Sequence, residues 1–280
     1  MSEVTKVPSS DGVLLHTERT LPESSQTGAA PCIVFSCGYA TTHENWRAQV
    51  QPLVQAGWQV VLWDHRGHGL SEAPAEASSY TMDLVVDDLE AVANFASPDA
   101  PLVLAGLSFG GLASLHFAIR APERVRALVL AGSGPGFKNP EAAAGWAAQT
   151  ERTASYLEDR GLQAFVDGKA GVTCVGADRE SPSARSAAAA IVAQNVPGLA
   201  AFGRNVTGLA PSVIDDLASI TAASLVIVGS NDKAFSRAAE VMAAKLPAAE
   251  HIVIEGAGHV LNIEKPEPFD AALLEFLARV

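Results

Sequence analysis

Gly106-Leu107-Ser108-Phe109-Gly110 is the stretch whose reading decides the fold. It follows the apolar run Pro101-Leu102-Val103-Leu104-Ala105, which reads as a short buried strand. It precedes residues 111–121, which read as a helix. A strand that turns at once into a helix lifts its central side chain out of the sheet and strains the backbone there. Large side chains two positions to either side would collide, so glycines at 106 and 110 meet a steric need. The new helix points free N–H groups and its positive dipole end at the same spot, which suits a reaction that develops an oxyanion. A βα loop with a capping serine would carry similar residues. The strand and helix on either side favour Ser108 as a nucleophile.

The rest of the chain sets the bounds on this reading. Its 280 residues, 48% of them hydrophobic, are ample for a sizeable core. No apolar run approaches the ~20 residues of a membrane span. The start, Met1-Ser2-Glu3-Val4-Thr5-Lys6, has no basic region followed by an apolar one, so no secretory signal is expected. A net charge of −12 argues against a nucleic-acid partner bound through a basic surface and fits a soluble protein, and no membrane partner is expected. Cys32, Cys37 and Cys174 are an odd, widely spaced set, which reads as free thiols in a reducing cytoplasm.

Taken in order, residues 4–7 and 13–17 read as two strands around Ser9-Ser10-Asp11-Gly12, where Asp-Gly signals a hairpin turn. Residues 21–30 read as a surface loop. Apolar runs then alternate with helices. Strands are expected over 32–35, 59–63, 102–105 and 127–130, and helices over 44–56 and 81–95, with Gly57 ending the first. Strands apolar on both faces and joined by helices imply a parallel sheet covered on both sides. The alternation stops at Gly132-Ser133-Gly134-Pro135-Gly136 and stays absent to about Ser212. Helical pieces are expected near 141–158, 161–167 and 183–194. A stretch of that length without a strand reads as a helical cap, residues 137–212, inserted between core segments 1–136 and 213–280. Strands at 224–228 and 251–254 and helices at 236–246 and 266–280 complete the pattern.

A serine hydroxyl needs a base beside it and a third group to orient that base. In an open parallel sheet such groups gather past the C-terminal strand ends. Gly229-Ser230-Asn231-Asp232 follows one late strand and Gly256-Ala257-Gly258-His259 follows the last. Asp232 alone could be a helix cap and His259 a surface-loop residue. Together with Ser108 they fall in the order Ser…Asp…His at three strand ends, which reads as a catalytic triad. Asp64, His65 and His68 are ligand-type residues in a Gly-rich loop, but no further ligand follows at metal spacing, so they read as structural and no metal is expected. Arg66 is expected to pair locally. Asn205-Val206-Thr207 matches a glycosylation sequon, which has no meaning without export. Neither a Walker-type phosphate loop nor a dinucleotide fingerprint is present, and no cofactor is expected.

These segments give the chain a resemblance to the α/β-hydrolase superfamily from about residue 10 to the end. The motifs are Gly106 to Gly110, Asp64-His65-Arg66-Gly67-His68-Gly69-Leu70-Ser71, Gly229 to Asp232, and Gly256 to His259. It is most similar to the capped group of enol-lactone hydrolases, haloperoxidase-like esterases, epoxide hydrolases and carbon–carbon bond hydrolases. Ser108 stands where epoxide hydrolases and haloalkane dehalogenases of that group use aspartate, which argues against both. The resemblance implies an α/β-hydrolase fold with a mostly parallel eight-stranded sheet. It also implies an oxyanion hole made by the backbone N–H groups of Tyr39 and Phe109, with Gly38 letting the loop come close. Cys37 stands where most members have a loop-bracing histidine and is expected to be a packing substitution.

The expected activity is a serine hydrolase on a small to medium ester or lactone, acting as a monomer or homodimer. The alternatives that share the residues are carbon–carbon bond hydrolysis, perhydrolase or haloperoxidase-like activity, and a slow ligand sensor. The cap is expected to supply an apolar pocket through Trp146, Phe165 and Phe202, unless these aromatics serve only to join it to the core.

Overall fold

The computed structural model describes residues 2–23 and 30–280. The loop expected over 21–30 lies mostly outside them. The first two strands, β1 (Ser2–Pro8) and β2 (Leu14–Thr20), form the expected hairpin, with Gly12 at φ 89° in its turn. After β3 (Cys32–Ser36) come α1 (Arg47–Gln55) and β4 (Gln59–Trp63). A short 3-10 turn, His43–Trp46, leads into α1 where the sequence suggested one continuous helix. Thr81 caps α2 (Met82–Ala96), its side chain accepting from the Leu84 N–H. Next are β5 (Leu102–Leu107), α3 (Phe109–Arg120) and β6 (Val125–Ala131).

The segment before the next strand is helical: α4 (Pro140–Asp167), α5 (Val172–Val175), α6 (Pro182–Val192) and α7 (Val196–Asn205). Gly161, at φ 77°, breaks α4 into the two pieces read from the sequence. The sequence reading missed α7, which opens on Pro197 and Gly198 and contains Gly203. Proline is well placed in a first turn, whereas the glycines lower helix propensity. The chain ends with β7 (Ala223–Gly229), α8 (Lys233–Lys245), β8 (Ala249–Ile254), α9 (Leu261–Glu264) and α10 (Pro266–Leu277).

The eight strands form one sheet in the order β1-β2-β4-β3-β5-β6-β7-β8. Only β2 runs against the others, pairing antiparallel with both β1 and β4; the remaining pairings are parallel. Alternate residues feed two cores. Val34, Val61, Leu104, Leu128 and Val226 face α2 and α3, with Leu89 and Phe117 among their neighbours. Ile33, Phe35, Val103, Val129 and Ile227 face the other side, with Leu53, Phe269 and Phe276. Burial of both faces is why these strands read as unbroken apolar runs. The helical segment joins both cores, Phe202 in the first and Leu157, Phe165 and Ile191 in the second. Among the described residues no single helix is long and apolar enough to cross a membrane.

Candidate active site

The C-terminal ends of the parallel strands carry the polar residues. Ser108 links β5 directly to α3 with φ 53° and ψ −115°, a backbone that side chains other than glycine rarely adopt. The flanking glycines are required by contact. A methyl group at Gly106 would lie well inside 3.0 Å of the Gly110 and Gly111 backbone, and one at Gly110 inside 3.0 Å of the Ser36 carbonyl. Ser133, past the end of β6, donates from its hydroxyl to the Ser108 carbonyl at 2.7 Å and so holds the turn. Helix α3 begins at Phe109, two residues before the sequence suggested, because Ser108 itself ends the strand and caps the helix.

Asp232 follows β7 and His259 follows β8. His259 Nδ1 donates to Asp232 Oδ2 at 2.7 Å, which leaves Nε2 as the basic nitrogen. Phe235 stacks on the imidazole with ring centres 4.7 Å apart. Behind the histidine loop, Gly258 N–H donates to Glu264 at 3.1 Å, and burial raises the Glu264 carboxyl above its ordinary range.

The loop after β3 lies opposite. A methyl at Gly38 would come within 3.3 Å of Ser108 Cβ, so glycine lets this loop approach the serine. Among the described residues, neither the Tyr39 N–H nor the Phe109 N–H has a hydrogen-bond acceptor. Two buried histidines hold the loop. His65 Nε2 donates to Cys37 O at 3.1 Å, and His68 Nε2 accepts from Ala40 N–H at 3.2 Å. Burial lowers His65 to about 3 and His68 to about 4, so both rings are neutral. Gln194, between α6 and α7, donates to Ala40 O at 3.0 Å and accepts from Gly69 N–H at 2.8 Å. Cys37 is fully buried, and burial pushes its thiol well above the usual range.

Gly38, Tyr39, Ser108, Phe109, Asp232 and His259 all line one cavity of about 530 Å³. Trp146 and Phe165 of α4 line it too, and Trp146 Nε1 donates to Thr207 O at 2.9 Å. Among the described residues no hydrogen bond joins Ser108 Oγ to His259. Such contacts are often loose before a substrate binds and tighten in the complex.

Two expectations need correction. Phe202 does not line the cavity: it is fully buried and packs against His68 at 4.5 Å and Phe109 at 5.0 Å, joining the helical segment to the core. Arg66 does not pair locally. It reaches Asp88 of α2 at 2.6 Å and Asp11 of the β1–β2 turn at 2.8 Å. Asp64 pairs with His43, Nδ1 to Oδ2 at 2.8 Å, and not with His65 or His68. Burial opposes a charge on His43, but Asp64, Glu18 and Glu44 outweigh it and raise the ring to about 11. Ligand atoms of His16, His43 and Asp64 lie within 4.8 Å of one another. Protonated His43 ties that cluster into an ion-pair network. Ser133 and Gln194 escaped the sequence reading. Ser133 follows a strand end, the signal that located Asp232, whereas nothing in the sequence marked Gln194.

Residues 31–266 match the family described as the alpha/beta hydrolase fold. The chain is an α/β hydrolase. This α/β hydrolase resembles the enol-lactonase from Burkholderia xenovorans LB400, with a TM-score of 0.82 at 26% identity over 99% of this chain and all of that one, 100%. It resembles a thermophilic esterase from Thermogutta terrifontis equally, with a TM-score of 0.82 at 25% identity over 99% and 98% of the two chains. The pimeloyl-[acyl-carrier protein] methyl ester esterase of Edwardsiella ictaluri (strain 93-146) is 28% identical over 249 residues, 87% of this chain and 92% of that one.

Proposed function

We propose that this hydrolase cleaves a small to medium ester or lactone through an acyl-enzyme formed on Ser108. The observation that carries the reading is the 2.7 Å bond from His259 Nδ1 to Asp232 beside a strained serine on the same cavity. His259 Nε2 takes the Ser108 proton as the hydroxyl oxygen attacks the carbonyl carbon. Asp232 holds the ring in the needed tautomer and stabilises the imidazolium. The Tyr39 and Phe109 N–H groups, unpaired among the described residues, receive the oxyanion. One such donor is worth ~2.7–4 kcal/mol of barrier in comparable sites. His259 then returns the proton to the leaving alkoxide. Water attacks the acyl-enzyme with His259 again as base, releasing acid and serine. For a lactone the leaving alkoxide stays tethered to the acyl group until this second step. Ser133, Gln194, His65 and His68 position the two halves of the site without touching the reacting atoms.

The test is turnover of aryl esters from acetyl to dodecanoyl, and of simple lactones, by wild type and Ser108→Ala. Turnover that disappears in the variant supports the reading. No turnover by wild type, or equal turnover by both proteins, refutes it.

A further inference from the structure

Glu264 ends the short helix α9, on the segment that follows His259, and has no task in the chemistry above. Its side chain lies in a slot between two glycines. A methyl group at Gly258 would sit 2.6 Å from Glu264 Oε1, and one at Gly176, just past α5, would sit 2.9 Å from Glu264 Cγ. Oε2 accepts at 3.1 Å from the N–H of Gly258, the residue before His259. Oε1 is buried, and among the described residues it has no hydrogen-bond partner.

A carboxylate taken out of water ordinarily has a cation beside it. Among the described residues no lysine, arginine or histidine forms an ion pair with Glu264. The charges that bear on it are those of His259, Asp232 and Lys265. Lys265 is exposed, and its side chain lies along Gly256 where water screens it. Asp232 repels the carboxylate and so opposes its charge. His259 becomes positive in the reaction only while it holds the Ser108 proton. An anion at this place therefore gains little from the resting site and more from the site in mid-reaction. An interaction that strengthens toward the transition state is the kind that lowers a barrier. Glu264 is absent from the described residues that line the cavity, so it does this without meeting the substrate.

We propose that Glu264 is a positioning residue for His259: it holds the loop through the Gly258 N–H and, as an anion, stabilises the imidazolium that forms when Nε2 accepts the Ser108 proton. The inference deepens the ester and lactone reading and rests on it for the source of that proton. Asp232 orients the ring by direct contact, and Glu264 adds its charge from behind the loop.

Histidine side-chain NMR follows the ring without turnover. In protein labelled with 15N at histidine, the His259 signals are assigned by their loss in His259→Gln and then followed against pH. Glu264→Gln keeps an acceptor for the Gly258 N–H and removes the charge. Glu264→Asp keeps the charge and shortens the reach to Gly258. The titration midpoint of the His259 signals should fall by about half a pH unit or more in Glu264→Gln, about a threefold loss of proton affinity, and by clearly less in Glu264→Asp. The acid limb of kcat/KM on aryl esters should move down by the same interval in Glu264→Gln. A midpoint or an acid limb that stays in place in Glu264→Gln overturns the proposal. So does a midpoint that falls as far in Glu264→Asp, the mark of a role in holding the loop alone. Wild-type turnover of the esters, set against Ser108→Ala, reports separately on the serine-hydrolase reading, so either idea can fail while the other stands.

Discussion

Acid should loosen this protein through His65 and His68. Both side chains are fully buried, and burial holds them at about 3 and about 4. A histidine in the unfolded chain titrates near ~6.5. Above that pH neither state carries the proton, and the native state is at its full stability. Below it the unfolded chain takes up protons that the native rings refuse, so stability falls as pH drops toward the folded values. Linkage gives a loss of about 2 kcal/mol per histidine between about pH 7.5 and about pH 5, or about 4 kcal/mol for the pair. Urea unfolding of wild type and His68→Gln at those two pH values isolates one ring. Glutamine can still donate to Arg66 O and accept from Ala40 N–H, the two bonds His68 makes. The variant should therefore lose about 2 kcal/mol less than wild type over the same interval, whatever its stability at neutral pH. Equal losses in the two proteins would refute the assignment of a buried, neutral His68.

Two further substitutions test the frame around the serine. Gly110→Ala places a methyl inside 3.0 Å of the Ser36 carbonyl and should cost about 3 kcal/mol or more, read as a lowered urea midpoint together with lost activity. Gln194→Ala frees Ala40 O and Gly69 N–H; on aryl esters kcat should fall about tenfold with KM nearly unchanged, because the loop carrying the Tyr39 N–H is displaced while the pocket wall is kept.

The sheet and the turn at Ser108 were legible because their signals are local. Both faces of β3, β5 and β6 are buried, so apolar runs name them without ambiguity. Gly106 and Gly110 answer contacts made within a few residues and with the neighbouring strand. Asp232 and His259 were found by their position past strand ends, a rule of topology that needs no side-chain detail. What stayed hidden depends on chain segments far apart in sequence. Arg66 meets Asp11 across 55 positions, and Gln194 meets Ala40 across 154. Phe202 carries no mark that separates a cavity wall from a buried joint. Helix α7 was obscured by glycines, of which Gly203 makes room for the Tyr39 ring.

The bonds from Gln194 to Ala40 and Gly69 bear on how such a protein could be rebuilt. A chimaera that replaced residues 140–209 with the corresponding stretch of a relative would import a new cavity wall. It would also cut the tether on the loop beside Ser108 and remove Phe202 from between His68 and Phe109. Selectivity and rate are therefore not separable by grafting at those boundaries. A successful exchange has to carry the residue at 194 and the aromatic at 202 along with it, or redesign the loop from 37 to 40 to match its new neighbour.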